Sequence, residues 1–124
     1  MTQPQSPFDA IYNVQRWGDG YFRIGKDGHL HVRPQGDQGG EATLEAVLQA
    51  CRAAGLRTPV LARFSGILRD RVRRLAGAFR GAIGEQNYQG RYTPVYPIKV
   101  NQQRRVVHEI LRAREEGEPV GLEA

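Results

Sequence analysis

The sequence predicts an α/β fold in which helices and strands alternate after a short N-terminal β-hairpin. Apolar residues recur at helical spacing in three stretches, and short β-prone runs lie before, between and after them. A glycine-containing loop separates two further β-prone runs near the start of the chain. Strands joined through helices of this length form right-handed βαβ units, so the strands that follow the hairpin are predicted to be parallel.

The first 35 residues are predicted to be a disordered arm followed by the hairpin. Residues 1–8 are polar and contain two prolines, so they have little to bury. Residues 21–24 and 29–33 are β-prone, and the loop 25–28 (GKDG) suits a hairpin. Because two strands alone are marginal in water, this hairpin is expected to pack on other structure.

Two histidines lie near the hairpin loop and raise the question of a metal site. His29 and His31 are two residues apart, so they share one face of a strand and suit chelation in principle. No third ligand of a suitable type stands nearby in the sequence. We therefore expect exposed histidines beside a turn, and no metal site.

Three helices and three strands are predicted after a flexible, glycine-rich linker at residues 34–40. The first helix is marked by helical spacing and ends at Gly55, a residue suited to a left-handed cap. A strand at 59–64 and the N-cap Ser65 precede the second helix. The third helix covers about 102–116 and is followed by a strand at 119–123. The apolar faces comprise Leu44, Val47, Leu48 and Cys51; Leu68, Val72, Leu75 and Phe79; and Val106, Val107, Ile110 and Leu111.

An apolar, β-prone run at residues 92–102 carries Lys99, one of the two lysines of the chain. Its neighbours Val95, Tyr96 and Ile98 predict a poorly solvated position, which favours the neutral, nucleophilic amine. Schiff-base chemistry requires such an amine. The alternative from spacing alone is an ordinary lysine at a strand end whose ammonium reaches water.

Several motifs resemble one known family. The heptapeptide YPIKVNQ at 96–102, followed by RRVV at 104–107, closely resembles the cofactor-lysine segment of the biosynthetic arginine decarboxylases. These are pyridoxal-phosphate enzymes of the alanine-racemase-like barrel class. Further landmarks follow the family's order along nearly the whole chain: YNVQRWG at 12–18, PVLARF at 59–64 and GLEA at 121–124.

The resemblance implies a partial (β/α)₈ barrel and a domain organisation. Residues 36–124 would form the first βα units of a pyridoxal-phosphate-binding barrel of the TIM type. Residues 1–35 would join a second, largely missing β domain. A complete barrel needs about 250 residues, so the chain of 124 residues is expected to be an N-terminal fragment and to be inactive alone.

The resemblance also implies a chemistry for Lys99. As the catalytic and cofactor-binding residue, it would form the Schiff base with pyridoxal 5′-phosphate in an enzyme that converts L-arginine to agmatine and CO₂ for polyamine and spermidine biosynthesis. In the implied barrel, Val95, Pro97 and Lys99 would face the interior, with a local irregularity at Pro97 because proline cannot donate to a ladder. Glu123 would end the next strand, close to the cofactor. The family also suggests Mg²⁺, without identifiable ligands here, and a homo-oligomer.

Other classes remain open on the sequence. One is a related barrel decarboxylase or racemase for another amino acid, and another is an inactive fragment acting as a basic binding module. The net charge of +5 suits polyanions, but the arginines are dispersed and no nucleic-acid motif occurs, so no nucleic-acid partner is expected. With no signal peptide, no membrane-spanning run and the single cysteine Cys51, the chain is expected to be cytoplasmic.

Overall fold

The computed structural model describes residues 7–36 and 39–124, which fall into two compact units. The first unit ends at Arg63, and the second runs from Phe64 to Ala124. This division reflects contacts within the chain. The predicted boundary between residues 35 and 36 concerns the domains of a longer protein, and it stays a prediction.

The first unit is built on a three-stranded antiparallel sheet. Strand β2 lies between β1 and β3, with Arg23 opposite His31 and His31 opposite Thr43. The predicted hairpin is confirmed, whereas β3 was not predicted. The elements of this unit are α1 (Pro7–Tyr12), α2 (Val14–Gly18), β1 (Phe22–Ile24), β2 (Leu30–Val32), β3 (Ala42–Thr43) and α3 (Leu44–Ala53).

Helices α1 and α2 correct the prediction for the start of the chain. Residues 1–6 of the predicted arm lie outside the described residues, but Pro7 and Phe8 belong to α1. Neither helix was predicted, because they have only six and five residues, too few for an apolar period to show. The predicted linker at 34–40 is described except for residues 37 and 38.

The core of the first unit lies where α2 meets the sheet. Val14 and Val32 are almost completely inaccessible, and Tyr21 and Ile24 are also buried. Helix α3 begins with the hydroxyl of Thr43 accepting a hydrogen bond from Ala46 N–H at 3.0 Å. It is followed by Gly55 with φ of +76°, which confirms the predicted helix and its cap. Its apolar face, including Cys51, is only half-buried, although a place on that face favours a small buried core residue at Cys51.

The predicted strand at 59–64 is wrong. This segment has no strand structure, and Leu61 is 76% exposed. A strand requires a hydrogen-bonded neighbour, and none of the described residues pairs with it. Helix α4 follows immediately with Ser65 as its first residue; the N-cap position is Phe64, so the predicted Ser65 cap is shifted by one residue.

The second unit packs two helices on a two-stranded parallel sheet. Strand β4 pairs with β5, with Val95 opposite Gly121 and Pro97 opposite Glu123. The prediction of parallel strands joined through a helix is confirmed for this pair, but no barrel occurs in the described residues. The elements are α4 (Ser65–Glu85), β4 (Val95–Pro97), the 3₁₀ turn Ile98–Val100, α5 (Arg104–Glu115) and β5 (Gly121–Glu123).

One apolar cluster joins these elements, and we call it the α5 cluster. It consists of the buried residues Val106, Ile110, Ala113 and Val120, against which Leu68, Val72 and Tyr96 pack. Residues Leu75 and Phe79 were predicted for the same stripe of α4, but both are exposed, and Phe79 instead stacks on Tyr92. The α5 cluster therefore uses only the first half of the α4 stripe.

Candidate functional site

Lys99 lies just beyond the carboxyl end of β4, within the 3₁₀ turn. The strand ends at Pro97, where the ring removes the N–H that a continued ladder would use. The predicted irregularity at Pro97 is confirmed. The predicted common face of Val95, Pro97 and Lys99 is wrong, because strand alternation ends where the turn begins.

Hydrogen bonds on both sides of Lys99 hold this turn. The N–H of Asn101 donates to the carbonyl of Ile98 at 3.1 Å, and the Tyr96 hydroxyl donates to the carbonyl of Asn101 at 3.1 Å. The side-chain oxygen of Asn101 then accepts from Gln103 N–H at 3.1 Å, immediately before α5. The backbone that carries Lys99 is therefore tied to both β4 and the start of α5.

The side chain of Lys99 is exposed, which contradicts the predicted poorly solvated position. Its neighbour Val100 is 72% exposed, and Val95 is 55% exposed. Tyr96 and Ile98 are partly buried, but they do not enclose the lysine. Among the described residues, no carboxylate lies within ion-pairing distance of the Lys99 ammonium, so this amine is free and accessible.

Glu123 reaches the same edge of the sheet as Lys99. It ends β5 and lies opposite Pro97, so the predicted position of Glu123 at the end of the next strand is confirmed by the register. Its side chain is exposed. The carboxyl ends of two parallel strands thus carry a cation in one case and an anion in the other.

An ion pair between a buried carboxylate and an exposed guanidinium lies just before β5. Glu118 is 8% exposed, and both of its oxygens accept hydrogen bonds from the guanidinium of Arg80, one of them at 3.0 Å. This pairing lowers the pKa of the Glu118 carboxyl and raises the pKa of Arg80. The sequence analysis missed the pair because the two residues are 38 positions apart and no motif links them.

The arginine-rich side of α4 is largely neutralised by carboxylates. Arg73 lies 3.1 Å from Glu116, and Arg74 lies 2.7 Å from Asp70. Arg69 makes longer contacts of 3.6–3.7 Å with Glu116 and Glu109. These partners make α4 a poor polyanion-binding surface, since its charges are already paired.

The hairpin histidines pair with different carboxylates. The ring of His31 is 12% exposed, with Nε2 at 3.0 Å from an Asp27 oxygen and Nδ1 at 3.1 Å from a Glu41 oxygen. His29 lies 3.3 Å from Glu45. The expectation of an exposed residue beside a turn is therefore wrong for His31. No group of three potential ligands in the described part of the chain is arranged to hold a metal ion.

Two carboxylates around His31 are stabilised in their ionised form. A hydrogen bond from the backbone N–H of His29, and then contact with His31, lower the pKa of Asp27. The guanidinium of Arg23 is the main cause of the lowered pKa of Glu41, with a smaller contribution from His31. The contacts of His31 with Asp27 and Glu41, together with the ion pair of Arg23 with Glu41, therefore help to hold the hairpin.

Comparison with known proteins adds three close matches, all to proteins called biosynthetic arginine decarboxylase. The one from Marinobacter nauticus is 46% identical over 122 residues, covering 96% of this chain and 19% of the relative. That from Pseudomonas aeruginosa is 47% identical over 115 residues, covering 93% and 18%. That from Xylella fastidiosa is 44% identical over 124 residues, covering 100% and 19%. No protein-family model matches the chain.

These matches show that the chain is homologous, over nearly its whole length, to a part of the biosynthetic arginine decarboxylases. It is a fragment-sized match, and it confirms the resemblance of the motifs to this family. The chain spans only 18–19% of the length of these relatives. None of the helices in the described residues is long and apolar enough to cross a membrane.

Proposed function

We propose that the chain is the N-terminal part of an arginine decarboxylase that converts L-arginine to agmatine and CO₂, with Lys99 holding pyridoxal phosphate. One observation carries the proposal: the lysine of the family-like motif lies at the carboxyl end of a parallel strand. Parallel α/β barrels place their chemistry at this end of the strands. The 46% identity to a biosynthetic arginine decarboxylase over 96% of the chain supports the same assignment.

The surroundings of Lys99 fit the aldehyde end of the cofactor. Lys99 is accessible, which bonding to an aldehyde carbon requires. The desolvation that favours the neutral amine is missing among the described residues, and in this proposal the rest of a barrel supplies it. The hydrogen-bonded turn keeps its backbone in one place. We assign the groups that would hold the phosphate and the ring nitrogen to the remainder of a complete protein.

Pyridoxal phosphate supplies an electron sink for the pair of electrons left on the substrate carbon when CO₂ departs. The residues of this chain perform the supporting tasks. Lys99 Nζ would hold the cofactor covalently, and after the substrate amine has displaced it, the same group, protonated, would be placed to hand a proton to the substrate carbon. Glu123 places a negative charge at the same edge of the sheet, in register with the end of β4.

We further propose that β4, α5 and β5 form one βα unit of a (β/α)₈ barrel to which residues 36–124 contribute. The two-stranded sheet leaves a free edge on each strand, and a barrel removes such edges by closure. Residues 1–35 would join a separate β domain. In this proposal Lys99 is exposed because the strands and loops that surround it in a barrel lie outside the chain.

For the complete protein, we propose a cytoplasmic homo-oligomer that acts in polyamine biosynthesis. The Mg²⁺ requirement implied by the family resemblance has no ligands among the described residues. These statements rest on the family and on no contact within this chain.

The assignment of Lys99 is tested by trapping. The chain is incubated with pyridoxal phosphate and reduced with borohydride, and the modified peptides are quantified. We expect adduct at Lys99 to exceed adduct at Lys26, an exposed lysine in the hairpin loop that serves as the matched control. The variant K99R should lose the main adduct and K26R should keep it. Equal labelling of both lysines argues against a privileged lysine in the chain alone, and the chimera then decides the role of Lys99.

The activity is tested in a chimera. The matching 115-residue segment of the Pseudomonas aeruginosa decarboxylase is replaced by this chain, and CO₂ release from L-arginine is measured. We expect activity in the chimera and in its K26R variant, and none in its K99R variant. Activity that survives K99R contradicts the role of Lys99, and release from ornithine or lysine in place of arginine contradicts the substrate.

A further inference from the structure

We propose that the Tyr96 hydroxyl is a positioning group for Lys99. The inference rests on the proposed function, because it concerns the orientation of the same lysine. Tyr96 lies in β4, three residues before Lys99, and its hydroxyl donates to the Asn101 carbonyl, two residues after Lys99, at 3.1 Å. The side chain of Tyr96 thus bridges the turn from one end to the other.

The anchoring of Tyr96 makes this bridge rigid. Its side chain packs against the α5 cluster and is partly buried. A tyrosine has few rotatable bonds, so a ring held in a packed cluster places its hydroxyl within a narrow range. The position of the Asn101 carbonyl is therefore fixed relative to the apolar interior of the second unit.

The bridge acts on the part of the turn that the other hydrogen bonds leave free. The bond from Asn101 N–H to the Ile98 carbonyl closes the turn locally, but it does not connect the turn to the core. The Asn101 side chain connects the turn to the beginning of α5 through Gln103 N–H. Of these three hydrogen bonds, only the one from the Tyr96 hydroxyl links the turn to a side chain packed in the α5 cluster. In this proposal, that link sets the direction in which Lys99 projects.

The substitution Tyr96→Phe tests this role, since it removes the hydroxyl and keeps the ring. Tyr92→Phe is the matched control, because it removes a hydroxyl from the same segment and leaves a ring that stacks on Phe79. The first measurement is amide hydrogen exchange of the 124-residue chain. For the Asn101 amide we expect exchange about fivefold faster in Y96F, from the loss of one hydrogen bond, and no change in Y92F.

The second measurement connects the turn to the amine. The rates at which pyridoxal phosphate and borohydride modify Lys99 and Lys26 are compared in each variant, with Lys26 as the internal reference. We expect the Lys99:Lys26 ratio to fall towards one in Y96F and to stay at the original value in Y92F. A purely structural role for the hydroxyl would change exchange but not this ratio.

Three outcomes would overturn this inference. If the original chain labels Lys99 no faster than Lys26, the hydroxyl gives Lys99 no advantage in this chain and the positioning role of Tyr96 is overturned, while the chimera tests the proposed function separately. If the original ratio is high and Y96F leaves it unchanged, the proposed function stands and the positioning role of Tyr96 is overturned. If the amides of Val106 and Ile110 in Y96F exchange faster by the same factor as Asn101, the effect is a general loss of stability, which also overturns the inference.

Discussion

Each of the two units is stabilised internally by a different kind of contact. In the first, neighbouring strands are antiparallel, and His31 lies between two carboxylates that come from close positions in the sequence. In the second unit, the two parallel strands are connected through α5 in the sequence. The helices and β4 pack together mainly through the apolar α5 cluster. Lys99 and Glu123, at the carboxyl ends of β4 and β5, are exposed. The candidate site therefore lies outside the packed interior of the second unit.

The largest expected effect is in the apolar interior of the second unit. Ile110→Ala removes a buried side chain from the α5 cluster and should lower the free energy of opening by about 2–4 kcal/mol. Amide exchange of α5 measures this loss locally. Leu122→Ala, at a partly exposed position in β5, is the control and should cost less than about 1 kcal/mol. Equal losses would show that the α5 cluster is not what holds the second unit together.

A smaller effect is expected at the ion pair that precedes β5. Glu118→Gln keeps the shape of the side chain but removes the charge that pairs with Arg80. Because the Arg80 side chain is more than half exposed, water can hydrate its charge when the carboxylate is removed. The loss of stability should therefore be about half that of Ile110→Ala or less. Amide exchange of β5 is the measurement, and Glu115→Gln, at a position 75% exposed, is the matched control.

Two glycines of the second unit predict effects of opposite sign. Gly117 follows α5 with φ of +95°, so Gly117→Ala forces an unfavourable conformation and should cost about 1 kcal/mol. Gly81 lies inside α4 with no atom near the position of an added methyl, so Gly81→Ala should stabilise by about 0.5–1 kcal/mol. Thermal melting followed by circular dichroism measures both. Destabilisation by Gly81→Ala would show that the exposed half of α4 is more constrained than its contacts indicate.

The smallest expected effect is the loss of stability at low pH that comes from the two carboxylates around His31, Asp27 and Glu41. Since the pKa values of Asp27 and Glu41 are lowered in the folded chain, their ionised forms stabilise it at neutral pH. This contribution is lost as pH falls below the ordinary values of 3.8 and 4.5 towards the lowered ones. In Asp27→Asn, protection of the Gly25 amide should depend less steeply on pH over this window. If the pH dependence of this protection is unchanged, Asp27 does not contribute to the stability that is lost in acid.

Local sequence patterns predicted the helices and the position of the lysine. The spacing in α3, α4 and α5, with Gly55 and Gly117 as terminators, follows from residues close together in the chain. The position of Lys99 at the far end of the β-prone run was also predicted from neighbouring residues, but the run was taken as one strand, and Lys99 lies in the turn after β4. The start of the chain was not, because α1 and α2 are shorter than two apolar periods.

The features that were not predicted from the sequence depend on contacts between residues that lie far apart in the chain. Arg80 and Glu118 meet only because α4 and α5 pack together. The segment 59–64 has the residues of a strand, but no part of residues 7–36 and 39–124 pairs with it. The burial of Lys99 was inferred from a strand that continues through Pro97, and the strand stops there.

The scarcity of lysine gives the turn at Lys99 one more consequence. A protease that cleaves only after lysine has two targets in the chain, the hairpin loop at Lys26 and the turn at Lys99. Both side chains are exposed, but a protease must also draw the surrounding backbone into its cleft. Digestion therefore yields peptides 1–26, 27–99 and 100–124 at rates that report the local opening of each unit separately.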